Sequence, residues 1–177
     1  QSSRWLEGDF HGISEPFNGI GIGFDTFKHT EYGESHRDVM VVFNNGDKSH
    51  DQLLETMVGC DMNVRYQSSR ADFNALTDQS RVMVHVKENN MLVIDVDPKG
   101  NNNWIECTVK NQLPFDANWL EEAYVGSTAS TGSLADNHDL LSLHVYETLN
   151  ELEQELKKHP RDIKAQKLMV GPSENDE

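Results

Sequence analysis

The stretch RVMVHVKENNMLVIDVD, residues 81–97, decides the fold class. Val82, Val84 and Val86 alternate with Met83, His85 and Lys87, the period-two pattern of a strand that buries one face. Glu88, Asn89 and Asn90 then form a polar turn, and Met91, Val93 and Asp95 mark the return strand. Two such runs joined by a short turn predict an antiparallel hairpin.

Further segments of the same kind flank the hairpin, at residues 19–27, 38–44, 104–110, 122–131 and 140–148, each bounded by turn residues. With the hairpin they make a meander of seven strands. Glycine is dense over residues 19–23, within IGIGF, which suits a strand closely approached by another backbone. Seven strands of this kind leave apolar faces that want a second sheet, so the expected fold is an all-β antiparallel sandwich. The chain opens on QSSRWLEGD without a start methionine or leader, and further strands upstream are expected.

The period changes at LNELEQELKKH, residues 149–159, where Leu149, Leu152 and Leu156 fall on one helical stripe and Pro160 stops it. A polar tail ending in SENDE follows. The expected division is therefore a β domain over residues 1–148, then a short amphipathic helix and tail over 149–177.

Thirty acidic residues against fifteen basic ones give a net charge of −15. A field of that sign repels phosphate backbones and acidic membrane surfaces, so neither nucleic acid nor a membrane surface is an expected partner of this segment. No apolar run reaches the roughly 18 to 20 residues of a membrane helix. No Asn-x-Ser/Thr sequon occurs, so the segment carries no N-glycan of its own.

Cys60 and Cys107 are the only cysteines. Two are too few for a zinc site; in a β-rich chain of an oxidising compartment they read as one disulfide, the alternative being two buried thiols.

Catalytic signatures are missing: there is no GxSxG elbow, P-loop or HExxH. Nor is there a paired-carboxylate strand motif such as ExDxE, which hydrolysis of a glycosidic bond on a similar sandwich would use. An enzyme is not expected.

Three stretches together resemble the luminal L-type (legume-like) lectins, the mannose-lectin cargo receptors that work between endoplasmic reticulum and Golgi. FNGIGIGFDTF, residues 17–27, is similar to the family's strand ending in Asp-x-aromatic, and the turn Asn44-Asn45-Gly46 follows in order. Cys60 and Cys107 stand where the family has its disulfide. YVGSTASTGSLADNHDLLSLHVYE, residues 124–147, is similar to the penultimate strand, sugar-binding loop and last strand.

The resemblance covers about residues 8 to 148. It implies a jelly-roll sandwich of the concanavalin A type, calcium as cofactor and high-mannose glycoproteins as partners. It also implies a place in the lumen of the endoplasmic reticulum, the intermediate compartment or the Golgi. The helix after residue 148 would begin a stalk that makes a homo-oligomer.

By the same resemblance Asp25 would give calcium a carboxylate, Phe27 a backbone carbonyl, the position of His29 a side-chain oxygen, and Asp51 a second carboxylate. Calcium takes six to eight hard oxygen ligands, and His29 offers nitrogen where the family has asparagine. Sugar contacts would come from His29, His50, Gly132, Ser133 and Leu134, with Gly132 leaving room for close approach to the backbone. The segment 44–57 is shorter than its family equivalent. The alternative expectation is a lectin-fold module that has lost calcium and sugar and binds protein instead.

Overall fold

A computed structural model describes residues 17–26, 37–64, 71, 79–116, 118–131, 138–148 and 150–151. Within them the hairpin lies where its pattern put it: β4 (Arg81–Lys87) pairs antiparallel with β5 (Met91–Asp97), and β6 (Ile105–Lys110) pairs with the other side of β5. A second sheet is built from β1 (Asn18–Phe24), β2 (Val39–Asn45) and β3 (Val58–Cys60), with β2 in the centre.

The two sheets bury their facing sides against each other. Val39, Val41 and Phe43 of β2 meet Leu92, Ile94 and Val96 of β5 in one apolar cluster, closed by Leu113. Neighbouring strands add Ile20, Ile22, Val58 and Cys60 on one side and Val82, Val86 and Cys107 on the other. These alternate along their strands as a sandwich core requires, and each fully buried aliphatic contributes about 1.5–3 kcal/mol of transfer free energy.

Central β2 is covered twice. Its outward Val42 packs on Leu53 of helix α1 (His50–Glu55), with Phe17 and Met57 alongside. That double burial is why VMVVF reads as a continuous apolar run rather than an alternating one.

Cys60 and Cys107 form the expected disulfide, between edge strands β3 and β6. A bulge makes this possible. Asp95 pairs with Glu106 and Ile94 with Thr108, so Cys107 is the extra, unpaired residue and turns toward the core.

Asp97 closes the hairpin. Its fully buried carboxylate accepts from Arg81 Nε at 3.1 Å and from Arg81 Nη2, and from the backbone amides of Lys99, Asn101 and Asn102. Burial alone would raise its pKa, but the Arg81 hydrogen bond, the Asn102 and Asn101 amides and the Arg81 charge together hold it below the ordinary value. The Arg81 guanidinium also lies over Trp104, 5.1 Å from the ring centroid.

Two expectations are corrected. Residues 122–131 and 140–148, expected as strands, join no ladder among the described residues: a 3₁₀ turn lies at Trp119–Glu122, and Tyr124 and Val145 are on the surface. Strand-type residues become a strand only where a sheet edge accepts their backbone. Conversely, α1 and β3 lie in a stretch where the hydrophobic pattern predicts no element. The signal for α1 is local: Ser49 and Gln52 form a capping box, with the Ser49 amide donating to Gln52 Oε1 at 2.9 Å. Of the helix expected over 149–159, only Asn150 and Glu151 are described, both helical. No helix among the described residues is long and apolar enough to cross a membrane.

Candidate functional site

The β1–β2 ladder runs from Asn18↔Asn45 at one end to Phe24↔Val39 at the other. Seven paired residues span about 20 Å at the usual strand rise. Each end carries residues singled out in the sequence.

Asp25 lies just beyond the Phe24 end, half-buried, and its amide donates to the Asp38 carbonyl at 2.9 Å. The β2–β3 register, Val39↔Cys60, brings Asp61 to the same end. There the buried Asp38 carboxylate accepts the Met62 amide at 2.7 Å, and Arg37 Nη1 pairs with Asp61 at 3.4 Å on the exposed surface. The β1–β2 register sets Asp38 beside Asp25, and β3, which the hydrophobic pattern does not mark, adds Asp61. A surface pair such as Arg37–Asp61 adds little stability, whereas the Asp38–Met62 bond ties β3's exit to β2's entrance.

The opposite end is the Asn44-Asn45-Gly46 turn. Asn44 is fully buried, and its Oδ1 accepts the amides of Gly46, Asp47 and Lys48 at 2.9, 3.2 and 3.1 Å, while its Nδ2 donates to the Lys48 carbonyl at 3.0 Å. One side chain thus satisfies four backbone groups and turns the chain into α1. His50 and Asp51 open that helix, His50 half-buried and Asp51 exposed in its first turn.

Asp25 and Asp51 are therefore reached from opposite ends of the ladder. Phe27, His29, Gly132, Ser133 and Leu134 lie outside the described residues. Among the described residues no group of three or more His, Cys, Asp or Glu is placed to hold a metal ion. Calcium needs six to eight oxygens, and these carboxylates alone do not make that shell.

Comparison with known proteins agrees with this architecture. The chain is 27% identical over 166 residues to the VIP36-like protein of Homo sapiens, covering 90% of this chain and 44% of the relative. It is 26% identical over 153 residues to the vesicular integral-membrane protein VIP36 of Canis lupus familiaris, covering 84% of this chain and 39% of that protein. It is 23% identical over 149 residues to protein ERGIC-53 of Chlorocebus aethiops, covering 82% and 27% respectively. The chain thus spans less than half the length of these relatives. No solved structure matches it. The legume-like lectin family matches residues 1–155, all six described strands included, and the chain belongs to that family, one of carbohydrate-binding proteins rather than enzymes.

Proposed function

We propose that residues 1–148 are the larger, C-terminal part of the lectin domain of a glycoprotein cargo receptor, binding high-mannose N-glycans in the lumen of the early secretory pathway, from endoplasmic reticulum to Golgi. The family match over residues 1–155 carries the reading. The Cys60–Cys107 bond supports an oxidising compartment. The similarity to VIP36, named as a vesicular membrane protein, supports the route.

In this reading residues 1–148 bind sugar through His29, His50 and the backbone of Gly132, Ser133 and Leu134. Asp25, Phe27, His29 and Asp51 are the calcium ligands. Residues 149–177 begin a stalk that joins copies of the chain.

Glycan-array binding with a calorimetric calcium titration tests it. High-mannose glycans bind, Gly132→Trp abolishes the signal, and Asp25→Ala abolishes calcium uptake. Light scattering of the purified chain reads its oligomeric state.

A second reading is favoured by His29 standing where the family has asparagine and by the short segment 44–57: a lectin-fold module that recognises protein without calcium. Absence of both calcium and mannose binding in the folded, disulfide-bonded protein selects it.

A further inference from the structure

The chain contains two Asn-Gly dipeptides, Asn18-Gly19 and Asn45-Gly46. Such pairs are the peptide sites most open to deamidation, because glycine has no side chain to hinder its nitrogen. In that reaction the deprotonated Gly46 amide nitrogen attacks Cγ of Asn45, the Cγ–Nδ2 bond breaks and ammonia leaves. Water then opens the succinimide ring at either carbonyl to give aspartate or isoaspartate, with no change of oxidation state.

Asn45 is exposed at the end of β2, and Gly46 has φ +95, so neither solvent access nor side-chain bulk protects the pair. Two features oppose the attack. The ladder pairs Asn45 with Asn18 and keeps its backbone extended, away from the bend that brings the nitrogen onto Cγ. The Gly46 N–H donates to Asn44 Oδ1 at 2.9 Å, and an engaged amide resists deprotonation. Asn44 is fully buried and holds the Asp47 and Lys48 amides with the same oxygen, so it does not turn away without leaving polar groups unpaired.

We propose that Asn45 is a latent deamidation site guarded by the Asn44 side chain, and that it reacts only when the 44–48 turn opens. The consequence is local and irreversible: a new carboxylate, or an extra main-chain methylene, at the point where β2 hands over to α1. A register that pairs Asn45 with Asn18 does not survive that insertion, and the position of α1, with His50 and Asp51 on its first turn, depends on it. Asn45 would thus record how often this end of the sheet has opened.

Peptide mapping by mass spectrometry, after timed incubation of the full chain at mildly alkaline pH, tests the proposal. Deamidation at Asn45 is expected to be about tenfold or more slower in the folded protein than in the reduced, denatured chain, since opening breaks several net-favourable hydrogen bonds. Asn44→Ala accelerates Asn45 but not Asn18, while Asn44→Asp, which keeps an acceptor oxygen for Gly46, retains most of the protection. Hydrogen exchange of the Gly46 amide gives a readout on the unsubstituted protein, where protection is expected. Equal rates at Asn45 in folded and denatured chains, an unprotected Gly46 amide, or equal acceleration of Asn18 and Asn45 by Asn44→Ala would each overturn the guard role.

Discussion

Cys60 and Cys107 are bonded across the two sheets, their Cα atoms 5.2 Å apart, and Cys107 reaches its partner because it is the bulged residue of β6. The bond closes a separation of 47 residues that contains β4 and β5. In the chain-entropy description a loop of that size adds about 4 kcal/mol by restricting the unfolded chain. The double variant Cys60→Ala/Cys107→Ala is expected to lose about 2–4 kcal/mol in urea unfolding. A loss well below that range would show that sheet packing alone holds the two layers.

Gly59 precedes Cys60 and has φ +149, and a Cβ built there would stand 1.9 Å from the Val39 carbonyl oxygen. That oxygen belongs to the central strand, which has no freedom to retreat. Gly59→Ala is expected to cost more than about 2 kcal/mol and to displace β3 from β2. Thermal unfolding checks the first point and amide exchange at Met40 and Gly59 the second.

Asp97 titrates below its ordinary value in the folded chain. Because folding lowers the pKa, the carboxylate contributes stability that is fully present above the unfolded value, about 3.9, and is lost as pH falls through the folded one. Asp97→Asn is therefore expected to unfold at lower stability near neutral pH and to show a shallower loss in acid. Asp97→Ala removes the acceptor of the Lys99, Asn101 and Asn102 amides and leaves Arg81 with Asn102 Oδ1 and the Trp104 ring, at a cost of about 1–3 kcal/mol. Urea titrations across the acid range measure both.

Ile94 lies fully buried at the centre of β5, among Leu92, Val96 and the β2 residues facing it. Ile94→Ala is expected to cost about 2–5 kcal/mol, and Val84→Ala, on the exposed part of edge strand β4, less than about 1 kcal/mol. The contrast separates core from edge in one experiment. Similar losses at both positions would mean that the β4 edge is covered in solution.

Most of the sandwich was legible because its strands advertise themselves locally. Alternation in residues 81–97 set both strands of the hairpin to the residue, and the apolar run before Asn44 located β2 to within one position. The cysteine pairing followed from count and chemistry. Asp25 falls inside the strand expected over 19–27, whereas β1 ends at Phe24, so its place at the strand end comes from the structure.

What the chain's own pattern determined, then, was which segments prefer extended backbone and which face of each is apolar, since both depend on side-chain period alone. Only the tertiary structure decided which of those segments obtain a neighbour. Residues 122–131 and 140–148 have the composition of strands but find no edge among the described residues, while Val58, Gly59 and Cys60, too short to signal anything, are held by β2 and the disulfide. The same register, not the sequence order, gathers Asp25, Asp38 and Asp61 at one end of the sheet and sends His50 and Asp51 into α1 from the other. Strand pairing is a property of two backbones, so no single stretch encodes it.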